Sequence, residues 1–331
     1  MPKLSVTYFH RHPGPKTFSL ERVFSDVRGA LPQQIEAKVL YCPWDSKGIA
    51  RRMLNILWAR LHVAQVNHIT GDVHYLCYLL PKRRTVLTIA DCVSLKRNRG
   101  LKRWLLWLFW YWLPARHSQI ITVISQFTKD DLVAHLKCPP EKIVVVHCPV
   151  SEAFRPKQKL FGAKEPALLQ IGTGWNKNLE RVAAALKGIP CRLIIVGALD
   201  EAQRQCLAEN GIQFTHYHGI SDEKLADLYG ECDLLVFASL YEGFGLPIVE
   251  AQAIGRPVVT SNRCSMPEVA GGGACLVDPE SVESIRQGIQ KVVEDKSYRE
   301  ELIRKGFENV NRFDAALIAA QYAELYRTIA S

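Results

Sequence analysis

The chain has 331 residues, room for two domains of ordinary size, and 48% of them are hydrophobic, which excludes a disordered or low-complexity protein. Its formal charge of +9 is lopsided: residues 1–156 hold 23 Lys and Arg against 10 Asp and Glu (+13), and residues 157–331 hold 19 against 23 (−4), so the first half is expected to face a polyanion. Ten cysteines without a C-x-x-C pair exclude a disulfide framework or cysteine zinc site and, with an N-terminus that lacks the apolar core of a signal peptide, predict a cytoplasmic protein.

Five short runs rich in Val, Ile and Leu, KLSVTYF (3–9), AKVLYC (37–42), RTVLTIA (84–90), QIITVIS (119–125) and KIVVVHCPV (142–150), predict strands buried on both faces. The first opens into HRHPGPKTFSLER (10–22), where Arg11, His12 and Lys16 form a local positive cluster; a solvated basic loop accounts for them equally well. His74 follows in TGDVHYL (70–76), a setting in which a lone histidine is more often structural than catalytic. TIADC (88–92) places Ala90 and Asp91 at the carboxyl end of the third run.

KRNRGLKRWLLWLFWYWLPARH (96–117) is the oddest stretch: ten apolar residues, Trp104 to Leu113, with four tryptophans, follow five basic ones. Ten residues are too few to span a bilayer, which takes about 20. They fit a helix lying in the membrane interface, with Arg97, Arg99, Lys102, Arg103, Trp104 and Trp107 as its contacts, or a buried helix whose apolar girdle is core. The girdle is expected to be partly buried and the basic edge to touch anionic lipid. Nucleic acid is not an expected partner, because the basic residues follow no recognition-helix or RNA-binding pattern.

The polar, proline-bearing segment SEAFRPKQKLFGAKEP (151–166) reads as a linker and predicts domains of residues 1–155 and 156–331. Beyond it PALLQIG (166–172), CRLIIVG (191–197), DLLVFAS (233–239), RPVVTS (256–261) and ACLVD (274–278) predict a second set of buried strands. Strands alternating with helical patterns predict an α/β fold of two Rossmann-like lobes, each with a parallel sheet, facing across a cleft. The end of the chain, 297–330, is helical at a 3.6 period throughout, long enough to cross back and brace the first lobe.

In open parallel sheets, ligands sit at the carboxyl ends of strands. QIGTGWNKNLERV (170–182) is such an edge: Gly172, Thr173 and Gly174 form the turn, and Lys177 can reach a diphosphate as a point charge. The third glycine of a dinucleotide fingerprint is missing, which weakens a nicotinamide reading. In HYHGISDEKLADLY (216–229) the backbone at Gly219 and Ile220 can read a base edge. SLYEGFGLPIVEAQAIG (239–255) joins Gly243, Phe244 and Gly245 to a helix beginning near Leu246, whose amides suit a phosphate. Glu242 ahead of that helix suits sugar hydroxyls, and Glu250 one turn inside it suits the two hydroxyls of a ribose. A plain capped turn with two solvated carboxylates fits the same residues.

Taken in order, IGTGWNKNLERV, HGISDEKLADLY and YEGFGLPIVEAQAIGRPVV resemble family 4 of the retaining glycosyltransferases, which have the GT-B fold; the E-x7-E spacing from Glu242 to Glu250 is that family's signature. The resemblance is clear over most of 160–330 and looser before it. It implies that Lys177 binds the donor diphosphate, Glu250 the ribose, and Glu242 with the amides of Gly243 to Leu246 the donor sugar and phosphate. It implies no catalytic metal, and no D-x-D motif is present to hold one. Relatives often carry an arginine where Thr173 stands, and a histidine at the position of Ala90, beside Asp91.

The resemblance makes the first half the acceptor lobe, with Asp91, Arg11, His12, Lys16 and His74 as candidates there. The expected activity is retaining hexosyl transfer from a UDP- or GDP-sugar to a membrane-associated glycan or lipid-diphosphate-linked acceptor, in cell-surface polysaccharide or lipopolysaccharide synthesis. The expected location is the inner face of the membrane. Two alternatives stay open: a catalytically impaired chain that binds nucleotide-sugar without efficient transfer, because of Ala90, and a GT-B sugar-nucleotide epimerase.

Overall fold

The computed structural model of the chain describes residues 3–14 and 19–330, and it divides into two compact units, residues 1–149 with 314–331 and residues 150–313. The division falls ahead of the predicted boundary at 155, and the last helix counts with the first unit.

The first unit holds strands β1 (Leu4–His10), β2 (Ile35–Tyr41), β3 (Val66–Ile69), β4 (Thr85–Ile89), β5 (Ile120–Val123) and β6 (Ile143–Val145) in the order β2-β1-β3-β4-β5-β6, every pair parallel. Parallel strands need helices on both faces, which is why β1, β4 and β5 read as nearly unbroken apolar runs. The order reverses between β1 and β3, so the loops after these strands diverge and leave an edge between them. The run expected over 142–150 pairs only over Ile143–Val145, and β3, V-N-H-I, was not expected. Its Asn67 and His68 are fully buried, which the chain tolerates because both are bonded: Asn67 Nδ2 donates to the Arg84 carbonyl at 3.2 Å, and the two His68 nitrogens lie 2.7 Å from Tyr326 Oη and Thr88 Oγ1.

The expected long terminal helix is two. Lys296–Val310 ends in a 3₁₀ turn, Asn311–Phe313, and Asp314 starts a new helix, Ala315–Ala330, by accepting the Leu317 amide at 3.0 Å. This last helix docks on the first unit through Tyr326, whose hydroxyl also lies 2.7 Å from that of Tyr8.

The second unit holds β7 (Ala167–Ile171), β8 (Arg192–Val196), β9 (Phe214–Tyr217), β10 (Leu234–Phe237), β11 (Val258–Ser261) and β12 (Cys275–Val277) in the order β12-β11-β10-β7-β8-β9, again all parallel. This is the doubly wound dinucleotide-fold order, and its reversal lies between β7 and β10. Leu168, Val236 and Val259 of the sheet pack with Val182 and Leu186 of the helix Leu179–Leu186 and with Ile285 and Ile289 of the helix Val282–Glu294. Buried Asp233 fixes the linker to the start of β10, accepting the amides of Gly162 at 3.0 Å and Ala167 at 2.8 Å and an ion pair from Lys159.

Candidate functional site

The reversal between β7 and β10 puts the two glycine turns singled out above side by side. After β7 the chain turns left-handed at Gly172 (φ +85°), and the Lys177 side chain lies directly over that glycine; a β-carbon there would come within 2.9 Å of Lys177 Cγ and Cε. Lys177 Nζ reaches Glu242 Oε1 at 2.6 Å and sits 4.7 Å above the centre of the Phe237 ring. Asn176 Nδ2 donates to the same carboxylate oxygen at 3.2 Å and to the Tyr241 carbonyl at 3.0 Å, while the Asn176 carbonyl accepts the Leu240 amide at 2.8 Å. Asn178, buried and left-handed (φ +61°), donates to the carbonyls of Ala238 at 3.0 Å and Pro279 at 2.7 Å. The tripeptide Asn176–Lys177–Asn178 therefore bolts the β7 turn to the β10 turn. Sequence reasoning passed over both asparagines; their place on either side of Lys177 was the available signal.

The β10 turn ends in Gly245 (φ +106°), which leads the helix Leu246–Ile254 without a capping side chain. Ser265 braces it from the next loop, its hydroxyl lying 2.7 Å from the Phe244 carbonyl and 3.0 Å from the Glu242 carbonyl. Gly243 does not share the left-handed conformation. The Phe244 ring is buried edge-on to Phe313 with centroids 5.6 Å apart, so this residue offers a ligand its backbone only. Glu250 is buried one turn into the helix, and its Oε2 accepts the Tyr229 hydroxyl at 2.8 Å. Thr173 does not turn towards Lys177: its hydroxyl donates to the Ala198 carbonyl, tying the β7 turn to the β8 turn. Gly219 (φ +67°) and half-buried Ile220 follow β9, on the other side of β8.

In the first unit, Arg11 makes a two-pronged pair with Glu21 (2.8 and 3.2 Å), and His12 Nδ1 lies 3.0 Å from the Cys42 carbonyl. Burial pushes the Glu21 carboxyl up, but the Arg11 bonds outweigh it and hold it below its usual range. Lys16 lies outside the described residues. His10, not singled out from the sequence, is buried at the end of β1. Arg28 donates to its Nε2 (3.2 Å), which leaves the ring proton on Nδ1, 3.0 Å from Thr70 Oγ1. Burial first, and the Arg28 charge second, push His10 down from 6.5 to about 4, so it is neutral at pH 7.

Asp91 and Ala90 sit half-buried after β4; Asp91 Oδ1 accepts the Val93 amide at 2.9 Å, and the Ala90 carbonyl accepts the Thr128 hydroxyl at 3.3 Å. His74 is corrected from an acceptor candidate to a structural residue: it is buried, and its Nδ1 donates to the Trp110 carbonyl at 2.7 Å.

The aromatic stretch is not one regular helix. An α-helix, Gly100–Leu106, widens into a π-helix, Trp107–Trp112, and narrows again over Leu113–His117. The wide turn presents the carbonyls of Phe109 and Trp110 to Tyr78 Oη (2.5 Å) and His74. Trp107 turns inward, its indole donating to the His135 carbonyl at 2.9 Å, which removes it from the membrane-contact candidates. Arg97, Arg99, Lys102, Arg103 and Trp104 are exposed. Among the described residues no helix is long and apolar enough to cross a membrane, and no group of three His, Cys, Asp or Glu is placed to hold a metal ion.

Two parallel Rossmann-type sheets, with a Lys–Glu pair and a glycine-led helix at one switch point, define the GT-B class of sugar-transfer folds. Residues 151–309 match the model of glycosyl transferases group 1, and residues 5–154 that of Glycosyltransferase Family 4; the chain belongs to the family 4 glycosyltransferases. It is similar to O-antigen chain mannosyltransferase B of Escherichia coli, 28% identical over 235 residues, which covers 64% of this chain and 61% of that protein, less than two thirds of its length. It is also similar to the MMP alpha-(1->4)-mannosyltransferase of Mycolicibacterium hassiacum, 29% identical over 98% of this chain and 78% of the relative. The solved structure of Anabaena HepE in complex with UDP and glucose shares the fold, with a TM-score of 0.76 over 98% of this chain and 100% of that one at 16% identity.

Proposed function

We propose that the chain is a retaining, metal-independent hexosyltransferase that moves a sugar, mannose first among the candidates, from a UDP- or GDP-sugar to a glycan or lipid-diphosphate-linked acceptor at an anionic membrane surface, in cell-surface polysaccharide or lipopolysaccharide assembly. The observation that carries the reading is the Lys177–Glu242 pair beside the Gly245-led helix: a cation, a carboxylate and a helix N-terminus gathered at one switch point suit a diphosphate and the sugar attached to it. Mannosyltransferase relatives support the sugar, and UDP in HepE supports a nucleotide donor.

In this reading the bond from the sugar C1 to the diphosphate oxygen breaks, and a bond from C1 to the acceptor oxygen forms on the same face. The acceptor proton passes to the departing diphosphate. Lys177 and the amides from Gly243 to Leu246 stabilise the charge that develops there, Glu242 holds sugar hydroxyls, and Glu250 holds the ribose. Peripheral membrane contact is assigned to Arg97, Arg99, Lys102, Arg103 and Trp104.

Calorimetric titration of the full chain with UDP, GDP, ADP and NAD, repeated with Lys177→Ala and Glu250→Ala, tests the site. One nucleoside diphosphate is expected to bind, weakened at least about tenfold by each change, a loss of ~1.4 kcal/mol. Binding of NAD alone, or of none, overturns the reading.

A further inference from the structure

The helix Ile49–Arg60 in the first unit turns only Asn55, Ile56 and Ala59 fully inward. Ile49 (79% exposed), Met53 (51%), Leu57 (51%) and Leu61 (82%) recur at every fourth position and make one apolar ridge on the outside. Scattered exposed leucines need no explanation, but a continuous ridge of this length marks a surface that something covers.

Two observations say what covers it. From Ser46 to Gly71 the chain contains no Asp or Glu, while Lys47, Arg51, Arg52 and Arg60 accompany the ridge. The helix also adjoins the aromatic stretch, since the Arg52 guanidinium lies 4.8 Å over the Trp110 ring. That stretch again exposes apolar side chains, Leu101, Trp104, Leu105 and Phe109, beside exposed Arg99, Lys102 and Arg103, and from Cys92 to Lys129 it too lacks any acidic residue. A protein partner would be expected to meet mixed charge. The acids at the edges are engaged locally, Asp45 by Arg51 at 2.7 Å and Asp72 by the Trp110 indole, so two neighbouring elements that set apolar surface among a majority of cations match the anionic headgroups and acyl boundary of a bilayer.

We propose that the helix Ile49–Arg60 is an interfacial anchor that lays its Ile49–Met53–Leu57–Leu61 ridge into an anionic membrane, with its arginines at headgroup level. The proposal extends the membrane contact assigned to residues 97–104 but concerns different residues, and it stands or falls independently of the sugar-transfer chemistry.

Flotation of the full chain with vesicles of phosphatidylcholine alone, and of phosphatidylcholine mixed with phosphatidylglycerol, tests it. The variants are Met53→Glu/Leu57→Glu on the helix and Trp104→Ala/Phe109→Ala on the aromatic stretch. All four side chains are exposed, so circular dichroism and nucleoside-diphosphate binding are expected to stay at wild-type values. Wild type is expected to float with the anionic vesicles and not with the neutral ones. Met53→Glu/Leu57→Glu is expected to lower that partition at least about tenfold, since two apolar contacts are exchanged for charges repelled by the lipid. Undiminished flotation of this variant overturns the proposal, whatever the aromatic variant does, and so does equal binding to neutral vesicles. A wild type that self-associates in light scattering, and becomes monomeric with Met53→Glu/Leu57→Glu, would make the ridge an interface between copies and overturn it as well.

Discussion

Lys177 and Glu242 satisfy each other, and the track that brings them together depends on a glycine. Gly172→Ala forces an L-residue to φ +85° and presses a methyl group against the Lys177 stem. About 1–2 kcal/mol of backbone strain follows, and the lysine must leave its position over Phe237. Thermal unfolding is expected to show a modest loss, whereas calorimetry is expected to show nucleotide affinity falling more than about tenfold; equal losses in both would mean that the glycine serves only the fold. Two serines give a sharper contrast. Ser265 donates its proton within the β10 loop, while the hydroxyl of Ser261, equally buried, has no hydrogen-bond partner among the described residues. Ser265→Ala is expected to cost about 1–3 kcal/mol and to weaken nucleotide binding by loosening the backbone from Glu242 to Phe244, and Ser261→Ala to be nearly neutral or stabilising. Urea unfolding of the pair checks this. At position 90, Ala90→His tests whether transfer is limited there: a large rise in turnover with unchanged nucleotide binding would favour the catalytically impaired reading over the active one.

Among the elements, those built from apolar runs were legible and those held by polar side chains were not. Most of the ten expected strands announce themselves because both faces of a parallel sheet are covered, so Val, Ile and Leu follow one another without alternation; edge strand β2, expected to be buried on both faces, buries only Ile35. β3 and β9 hide because V-N-H-I and F-T-H-Y interrupt that pattern; His68 is at home in β3 only because Tyr326, some 260 positions later, meets its Nδ1. The two glycine turns at the β7–β10 reversal were legible as motifs, since glycine, lysine and glutamate spacing is local, but the bolts formed by Asn176 and Asn178 and the brace from Ser265 join loops after different strands and need the strand order to be seen. The terminal segment misleads for a related reason: its 3.6 period runs through Asn311–Phe313, yet Asp314 caps a fresh helix that belongs to the first unit. Tyr326→Phe tests how much polar docking matters for that helix. It leaves the size of the side chain unchanged but strips a buried hydrogen-bond partner from His68 and Tyr8, so a loss of about 1–3 kcal/mol is expected. Hydrogen exchange should place the loss in the Ala315–Ala330 amides and β1 rather than in the second unit.

At the scale of the whole molecule, the two units differ in how they carry histidine, and this predicts an acid response confined to one of them. His10 and His68 are both buried in the first unit and both kept neutral. Burial and then Arg28 hold His10 down from 6.5 to about 4, and burial and then the charge that His10 carries once protonated hold His68 down from 6.5 to about 3. A histidine whose folded pKa is depressed takes up its proton more readily in the unfolded chain, so the unfolded state binds more protons as pH drops below 6.5. Stability from these residues is therefore complete above pH 6.5 and drains away as pH falls towards 4 and then 3. For His10 alone the loss amounts to about 3 kcal/mol, and the two together are enough to unfold a marginally stable unit. Six of the seven tryptophans lie in the first unit, so tryptophan fluorescence follows its unfolding, while nucleoside-diphosphate binding, which the proposed function puts in the second unit, serves as the readout there. Between pH 7 and 5 the fluorescence midpoint in urea is expected to fall steeply, with nucleoside-diphosphate affinity changing far less. His68→Gln is expected to lower the midpoint at pH 7, because the bonds to Tyr326 and Thr88 are disturbed, and to flatten its pH dependence. A midpoint that moves with pH as steeply in this variant as in the wild type would show that His68 contributes nothing to the acid response.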